Sequence, residues 1–380
     1  MNAEDSIPVC GAGPAGLVAA ITLARAGRRV TVFERHADVG SRFHDDLQGL
    51  ENWTTEADVL EELAGFGVEA DFTAAPFHEA VVSDPEGREH VYRSPRPMAY
   101  IVHRGAVPGS LDFGLREQAL AAGAEIRFHA PCRQLPDGGI VAEGPHGADA
   151  IGIGYLFDTD RADGAFIALS DDLAPRGYAY LLIQGGRGTV MSWLYDDFHR
   201  DREYLQRTVA FFQRHAGLEM REPRRTGGGA NFLPPRSARR GGLLFTGEAA
   251  GFQDALWGFG MRYAMVSGHL AARALLDNAP AAYDRLWGRR LGGQLRAALV
   301  NRSIYARLGN RGYTRLLREI DRFMQRRPDG RRWLQGYTAP RLWKSLYFPL
   351  LRHRLISSRP PPDAGDPDCD CTWCRCRRAR

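Results

Sequence analysis

The sequence "IPVCGAGPAGLVAAITLARAG", residues 7–27, decides the fold class of this 380-residue chain. The apolar residues before the glycines predict a strand, and the run of small and apolar residues after them predicts a helix. Gly11, Gly13 and Gly16 have the spacing G-x-G-x-x-G. In this pattern the first glycine allows a tight turn, the second allows close approach to a pyrophosphate, and the third allows close packing of helix on strand. The candidate phosphate contacts are Gly11, Gly13, Pro14, Ala15 and Gly16.

An acidic residue follows at the position that a dinucleotide site requires. The stretch "RRVTVFE", residues 28–34, predicts a second strand that ends in Glu34, about 20 residues after the glycine turn. We expect Glu34 to accept hydrogen bonds from a ribose, with Arg35 as a neighbouring cofactor contact. A carboxylate here disfavours the 2′-phosphate of NADP, so FAD and NAD both remain candidates for this site.

A second junction of the same kind occurs in "GGLLFTGEAAGFQDALWGFGMRYAMVSGHLAARALL", residues 241–276. It predicts a strand, a glycine turn and a long helix from about Gly258. It resembles the second FAD motif of the glutathione-reductase-type flavoproteins, strand-G-D-A-A-G, with Glu248 in place of the aspartate. The resemblance implies that this acid binds the ribityl chain and that the helix start faces the flavin ring. The candidate cofactor contacts are Gly247, Glu248, Ala249, Gly258, Phe259, Gly260 and Met261.

The segments between the two junctions carry further candidates. In "YIVHRGAVPGSLDFGLREQALAAGAEIRFHA", residues 100–130, Arg104 precedes a predicted helix over 111–122, as in the middle segment of the same flavoproteins. In the loop "VGSRFHDDLQGLENW", residues 39–53, Arg42 is a candidate phosphate contact. His44 and Asp45 are the candidates there for proton delivery.

The combination resembles the geranylgeranyl reductase family, a branch of the group that includes p-hydroxybenzoate hydroxylase. The resemblance extends from residue 7 to about residue 276. Family members have a P-x-G-Y-x-W-x-F-P stretch on a strand of the substrate domain, which corresponds here to "PRGYAYLLI", residues 175–183. Tyr178 and Tyr180 are therefore candidate pocket residues, but tyrosine replaces the tryptophan and Leu182-Ile183 replaces the Phe-Pro pair. The resemblance carries the architecture better than the lipid specificity.

We accordingly predict an α/β fold: a Rossmann-like FAD/NAD(P)-binding domain with an inserted antiparallel-sheet substrate domain and a helical C-terminal region. The predicted FAD-binding domain is discontinuous and contains residues 1–75, 102–153 and 238–280. The substrate domain comprises residues 76–101 and 154–237, the helical region residues 281–358, and a Pro-rich, Cys-rich tail residues 359–380.

The family resemblance implies an FAD-dependent oxidoreductase that transfers hydride or electrons between flavin N5 and an apolar substrate, with an isoprenoid lipid as one candidate. An FAD-dependent monooxygenase or halogenase-like enzyme is the alternative. That alternative is weakened because "HGADAIGIGYLF", residues 146–157, lacks the A-D-G-x-x-S-x-x-R motif of the hydroxylases. A flavin-loaded, non-catalytic sensor is a second alternative, and external NAD(P)H, a protein or a quinol remain open as electron donors.

Charge is unevenly distributed along the chain, which has a formal net charge of +5. Arginines cluster beyond about residue 301 and alternate with aromatic residues, so this basic C-terminal region is a candidate for peripheral contact with anionic lipids or a solvated helix face. No nucleic-acid-binding motif occurs. The acidic residues near the N-terminus and the lack of an apolar run of about 18 residues predict a cytoplasmic protein.

Four of the six cysteines, Cys369, Cys371, Cys374 and Cys376, lie within eight residues near the C-terminus. Four thiolates are a ligand set for Zn or an iron–sulfur cluster, although this spacing is tight for one site, so redox exchange or no role remains open. Cys10 and Cys132 are expected to be small core residues.

Overall fold

The computed structural model describes residues 6–132, 135, 138–144 and 148–357, with side chains described to residue 351. The strands are β1 (Ile7–Cys10), β2 (Val30–Phe33), β3 (Asp46–Glu51), β4 (Ala74–Phe77), β5 (Glu79–Ser83), β6 (Glu89–Arg93), β7 (Ala99–Arg104), β8 (Glu125–Arg127), β9 (Gly139–Val141), β10 (Ala150–Asp158), β11 (Gly164–Ala168), β12 (Tyr178–Gln184), β13 (Arg187–Leu194), β14 (Arg221–Ala230), β15 (Arg239–Arg240) and β16 (Leu243–Phe245).

The helices are α1 (Pro14–Arg25), α2 (Val59–Ala64), α3 (Leu111–Ala121), α4 (Asp201–Ala216), α5 (Met261–Leu276), α6 (Tyr283–Arg290), α7 (Gly292–Tyr305), α8 (Gly309–Arg326), α9 (Gly330–Thr338) and α10 (Leu342–Ser357). The chain divides into two compact units. Unit 1 contains Met1–Ala75, Tyr100–His146 and Asn231–Leu295, and unit 2 contains Pro76–Ala99, Gly147–Ala230 and Arg296–Arg380.

Unit 1 contains a six-stranded sheet with the order β15-β16-β9-β1-β2-β8. Strands β16, β9, β1, β2 and β8 are parallel, and only β15 runs antiparallel to its neighbour. The strands are short and almost wholly apolar, as expected for a parallel sheet whose two faces are covered. Helices α1, α3 and α5 contribute to the core of this unit. This is the predicted Rossmann-like architecture.

Unit 2 contains a seven-stranded sheet with the order β14-β10-β13-β12-β11-β5-β6. Its neighbours pair antiparallel except β11 and β5, which are parallel. Strands β5 and β6 pair antiparallel as a hairpin. Along β12 buried and half-buried residues alternate, and the buried Leu181 and Ile183 pack with Phe212 of α4. The predicted antiparallel sheet and the helical C-terminal region are therefore confirmed.

Helix α5 begins three residues later than expected. The pattern of small residues predicts a helix from about Gly258, whereas the structure begins it at Met261. Gly258 has φ +80°, a left-handed conformation that ends any regular right-handed helix at this point. The segment that precedes Met261 is consequently a loop, with the Asp254 amide donating to the Phe259 carbonyl at 2.8 Å.

Candidate functional site

The carboxyl ends of the parallel strands in unit 1 come together at one edge of the sheet. Cys10 of β1 is in register with Phe33 of β2 on one side and with Val141 of β9 on the other. Phe245 of β16 is in register with Val141 in turn. Each of these residues ends its strand, so the loops that follow all leave from this edge. Ligands of parallel α/β sheets bind outside the carboxyl ends of the strands.

The first glycine junction leaves this edge with the geometry of a phosphate cradle. Gly11 has φ +99°, and a Cβ there would lie 2.7 Å from the carbonyl oxygen of Ala142. A Cβ on Gly16 would overlap the carbonyl oxygen of Gly11, so both positions require glycine for packing. Gly13 is different, because a Cβ there would meet no atom within 4 Å. Its surroundings are open at the place where the pattern predicts the pyrophosphate.

Helix α1 begins at Pro14, and Gly13 is its N-cap without a side-chain hydrogen bond. The first amides of the helix, beginning with Ala15, are thus available to an anion, together with the positive end of the helix dipole. The structure therefore combines open space, free donors and favourable charge at the predicted phosphate-binding position.

Glu34 follows β2 and lies next to the same turn. Its Oε2 accepts a hydrogen bond from the Ala12 amide at 2.9 Å, and its Oε1 accepts one from the His36 amide at 3.0 Å. The carboxylate is thereby held against the glycine turn. Arg35 is exposed and donates from Nε to Nε2 of His36 at 3.0 Å, and its contact with a cofactor stays a prediction.

The second glycine junction packs directly against the first. Gly247 has φ +55°, and a Cβ there would lie 3.1 Å from Cβ of Ala15. A Cβ on Gly268 of α5 would overlap the carbonyl oxygen of Ala15, so α1 and α5 pack backbone to backbone at this crossing. The Gly247 amide donates to Oγ of Ser267 at 2.9 Å, which fixes the turn on α5. The small residues of both helices allow this close approach.

Two predicted cofactor residues far apart in sequence form an ion pair. Arg42, in the loop after β2, donates from Nη2 to Oε2 of Glu248 at 2.9 Å. Glu248 belongs to the short helical turn Gly247–Ala250, and its neighbour Ala249 is half-buried. Both side chains retain solvent exposure, Arg42 the more, so the pair lies at the surface of unit 1.

The segment from Gly258 to Met261 leads into α5 beside an aromatic contact. The Phe259 ring lies over Gly49 of β3, where a Cβ would be 2.8 Å from Cε1, and it makes an edge contact with Trp53 at 4.7 Å between centroids. Gly260 is the N-cap of α5 and has no side-chain hydrogen bond. The second helix start is therefore also uncapped and can face a negative or polar group.

Arg104 is buried in an arrangement that the sequence does not indicate. Its Nε and Nη2 donate to the two carboxylate oxygens of Asp112 at 2.7 and 3.0 Å, and its Nη1 donates to Oε1 of Gln48 at 3.0 Å. The guanidinium also lies over the Phe43 ring, 4.3 Å from its centroid. These contacts join β7, α3 and β3. A direct contact of Arg104 with a cofactor remains a prediction.

Among the candidates for proton delivery, His44 is exposed, whereas Asp45 is partly buried and paired. Oδ1 of Asp45 lies 2.7 Å from Nδ1 of His103, and Asp45 has φ +73°. No motif in the sequence marks His103, which is one residue before Arg104 on β7. An imidazole held by a carboxylate can exchange a proton, so the Asp45–His103 pair joins the candidates.

Tyr178 and Tyr180 belong to unit 2. They alternate along β12 on one face of the sheet, with ring centroids 6.0 Å apart, and both are half-buried. Neighbouring aromatic rings on one strand face are also common in ordinary packing, so their role in a substrate pocket stays a prediction.

Unit 1 contains a buried charge cluster that the sequence pattern does not reveal. Arg262 of α5 donates from Nε and Nη2 to Glu62 at 2.7 and 3.0 Å, and its Nη1 lies 3.7 Å from Oε1 of Glu51. Arg290 also pairs with Glu62, and Glu51 accepts from Oγ1 of Thr54 at 2.8 Å. Burial raises the pKa of Glu51 to about 7, against the opposing attraction of Arg262.

The cysteines fall into two groups. Cys10 is buried, as predicted for a core residue, whereas Cys132 is only half-buried, and the two form a disulfide with their Cα atoms 5.7 Å apart. The four tail cysteines, predicted as metal ligands, lie outside the described residues. Within the described part of the chain no cluster of three or more metal-ligating side chains occurs.

Comparison with known proteins agrees with this architecture. Residues 9–53 match the family model of the NAD(P)-binding Rossmann-like domain. The chain is 27% identical over 344 residues to a digeranylgeranylglycerophospholipid reductase of Methanosphaerula palustris, covering 76% of this chain and 82% of the relative. Among solved structures it is similar to a geranylgeranyl bacteriochlorophyll reductase-like protein of Thermoplasma acidophilum, with a TM-score of 0.68, 19% identity, and coverage of 93% and 98% of the two chains.

A flavin-dependent brominase is similar in structure too, with a TM-score of 0.64, 14% identity and the same coverage of both chains. The fold and the first glycine junction therefore define a nucleotide-binding domain of the Rossmann type. The chain is an FAD-dependent oxidoreductase, similar in sequence to the reductase of Methanosphaerula palustris. Among the described residues, no helix is both long and apolar enough to span a bilayer.

Proposed function

We propose that the chain holds FAD across its two glycine junctions and transfers hydride or electrons between the flavin and an apolar substrate of the isoprenoid lipid class. The observation that supports this best is the contact of both junctions at Ala15, where Gly247 and Gly268 approach the start of α1. A nucleotide alone needs only the first junction. The second junction adds another uncapped helix start, which matches the longer reach of a flavin dinucleotide.

Under this proposal each end of the cofactor has its own residues. The amides of Ala15 and Gly16 at the start of α1 donate to the pyrophosphate, and Glu34 accepts from the adenosine ribose. Glu248, oriented by Arg42, accepts from the ribityl hydroxyls. The residues from Gly258 to Met261 line the ring.

Bound FAD supplies a two-electron carrier whose reduced form can donate a hydride to a carbon–carbon double bond. The chain's own contribution is electrostatic and steric. The uncapped start of α5 would stabilise negative charge on the reduced pyrimidine ring, and the contact of half-buried Phe259 with buried Trp53 would limit water at that side. The Asp45–His103 pair and His44 are the groups available for the accompanying proton.

The substrate class rests on the Methanosphaerula palustris relative, whose name specifies a digeranylgeranyl glycerophospholipid. Tyr178 and Tyr180 are the proposed pocket residues in unit 2. Because the strand that carries them departs from the family stretch at Leu182 and Ile183, we propose an apolar chain as substrate without assigning its length or head group.

The monooxygenase or halogenase-like reaction remains the second candidate, since a flavin-dependent brominase has a similar fold. The electron donor is external NAD(P)H, a protein or a quinol. For location we propose a cytoplasmic protein that contacts a membrane through its basic C-terminal region, since an apolar lipid substrate resides in the membrane.

The test starts from the visible spectrum of the purified full chain. We expect bound flavin, its bleaching by dithionite under anaerobic conditions, and its reoxidation by polyprenyl lipids with addition of two hydrogens to each reduced double bond. A colourless protein that takes up no FAD would overturn the proposal. Oxygen-dependent oxidation of NAD(P)H that yields a hydroxylated or halogenated product would favour the second candidate. Bound flavin that no donor and substrate pair can turn over would indicate a sensor.

A further inference from the structure

Helix α10 exposes an apolar stripe to solvent. Leu342, Leu346 and Leu350 recur every four residues and are 78%, 70% and 67% exposed, and Trp343 beside them is 48% exposed. At 3.6 residues per turn these four side chains occupy one arc of about 100° on the helix surface. We call these four residues the α10 stripe. Such a concentration of exposed apolar side chains marks an interaction surface rather than scattered surface residues.

Elsewhere in the described chain, exposed large apolar side chains do not cluster on one element. The other large apolar side chains with high exposure are Val91, Val107, Leu120 and Ile304, which lie on separate elements. The α10 stripe contains the same number of exposed apolar side chains, four, within nine residues of one helix. The helix is therefore distinct from the ordinary surface of the protein.

The opposite face of α10 is buried against the protein, so the fold determines that the stripe faces solvent. Phe348 and Leu351 are buried, at 8% and 5% exposure. Lys344, the sole lysine of the sequence, is buried too, and its Nζ donates to the carbonyl oxygens of Tyr337 and Ala339 at 2.8 and 3.0 Å. These bonds attach the first turn of α10 to the end of α9.

The stretch of sequence that contains the stripe carries charge of one sign. From residue 330 to residue 357 it contains no aspartate or glutamate; Arg331 and Lys344 are buried, and the other basic residues are Arg332, Arg341, Arg352 and Arg354. Arg341, immediately before α10, and Arg332 of α9 are exposed. An apolar helix face with basic neighbours matches the interface of an anionic bilayer, where leucine and tryptophan enter the acyl boundary and arginines meet phosphates.

We propose that the α10 stripe docks the protein on the surface of an anionic lipid bilayer. This inference deepens the proposed function, since a membrane surface is where an isoprenoid lipid substrate resides. Charge disfavours a second copy of the chain as the occupant, because two copies of this arginine-containing stretch would bring like charges together. An anionic bilayer offers an apolar layer for the leucine and tryptophan side chains of the stripe, and negative charge for the neighbouring arginines.

The test is flotation of the full chain with vesicles of phosphatidylcholine containing phosphatidylglycerol, against vesicles of phosphatidylcholine alone. We expect the wild-type protein to float with the anionic vesicles, with binding that weakens as salt is raised. The double variant Leu346→Glu/Leu350→Glu should lower the partition coefficient by about tenfold or more. Ile304→Glu, which changes an exposed apolar residue on α7, is the matched control and should bind as wild type.

Fluorescence gives an independent measurement of the same contact. Lipids brominated on the acyl chain should quench tryptophan emission of the bound wild-type protein, and Trp343→Phe should reduce this quenching while the protein remains bound. Flavin content and turnover of detergent-dispersed substrate should be unchanged in the double variant. If the wild-type protein lacked bound flavin and turnover but still floated with the anionic vesicles, the proposed function would be contradicted and the docking proposal would not.

Three results would overturn the docking proposal. The first is a wild-type protein that stays in the aqueous fraction, or a double variant that floats as well as wild type. The second is a wild-type dimer in light scattering that the double variant converts to a monomer, which would assign the stripe to a second copy. The third is binding that appears only after residues 359–380 are deleted, which would assign the stripe to that segment.

Discussion

Arg42 and Glu248, 206 positions apart in sequence, form an ion pair of 2.9 Å that joins the loop after β2 to the second glycine junction. Each residue belongs to a segment that the sequence associates with the cofactor. Their pairing means that the two segments are held at one distance before any ligand binds. Pre-positioned polar groups lose less freedom on binding than mobile ones.

The first prediction concerns Glu248. We expect Glu248→Ala to raise the dissociation constant for FAD by roughly tenfold, since it removes a charged acceptor and releases Arg42. Glu248→Gln, which keeps an acceptor oxygen, should have a smaller effect. Fluorescence titration of the apoprotein with FAD measures both. The control is Glu61→Ala at an exposed position of α2, and equal affinities for all four proteins would remove Glu248 from the site.

Substitutions at two glycines of the first junction should have different effects on FAD affinity and on the stability of the apoprotein. A methyl group on Gly13 enters open space, so Gly13→Ala should leave the melting temperature of the apoprotein nearly unchanged while FAD binding falls, because the methyl occupies the phosphate position. A methyl group on Gly16 overlaps the Gly11 carbonyl, so Gly16→Ala should destabilise the apoprotein by about 1–3 kcal/mol. Thermal unfolding without flavin, followed by titration with FAD, measures the two effects. Normal FAD affinity in Gly13→Ala would contradict the phosphate assignment.

The crossing of α1 and α5 gives a third prediction. Gly268→Ala should lower the free energy of unfolding by about 1–3 kcal/mol, because its Cβ overlaps the Ala15 carbonyl and the helices must separate. Gly288, within α6, has no atom within 4 Å of an added Cβ, so Gly288→Ala should be neutral or stabilising by roughly 0.5–1 kcal/mol. Urea unfolding measures both. A similar change in the two variants would argue against a close crossing.

The fourth prediction is a dependence of stability on pH. Burial raises the pKa of Glu51 to about 7 from its ordinary value of 4.5, so the folded protein keeps a proton that the unfolded chain has released. The stabilising contribution is complete below pH 4.5 and is lost as pH rises to 7, with a total of up to roughly 3 kcal/mol.

Glu51→Gln should flatten this decline, since its amide cannot ionise, whereas Glu61→Gln at the exposed position on α2 should retain it. Urea unfolding at pH 5 and pH 8 measures the difference. A wild-type protein whose stability is level between these values would show that the Glu51 carboxylate is already ionised at pH 5.

The fifth prediction is the disulfide between Cys10 and Cys132. Denatured protein should show two more titratable thiols after reduction than before it, and Cys132→Ser should abolish that difference. The bond closes a loop with a sequence separation of 122 residues, so its loss should destabilise the protein by about 2–4 kcal/mol. Cys371→Ser is the control. Equal thiol counts before and after reduction would show that the two side chains are reduced.

Much of the fold was predictable because it depends on local patterns. The apolar strands, the glycine turn, and helix α3 over Leu111–Ala121 follow from residue spacing and from the conformations that glycine permits. The start of α5 was misplaced by three residues. Its small residues continue back to Gly258, and only the backbone geometry reveals that Gly258 is left-handed.

The candidate site was predictable in part. Its glycines and Glu34 could be named because the dinucleotide pattern assigns a physical role to each position. The Asp45–His103 pair, the role of Asp112 in holding Arg104, and the buried pairing of Arg262 with Glu62 could not be named. Each joins segments whose proximity depends on the whole fold, and no short-range signal in the sequence distinguishes these charged residues from exposed ones.

By itself the sequence determined where the chain must turn, which segments are strands or helices, and which two glycine junctions are the candidates for binding a dinucleotide. These properties follow from steric limits on single residues and from the periodicity of apolar side chains. Only the tertiary structure decided that the junctions meet at Ala15, that Arg42 reaches Glu248, and that the α10 stripe faces solvent. Contacts between distant residues depend on strand order and helix crossing, which are set by the packing of the whole chain.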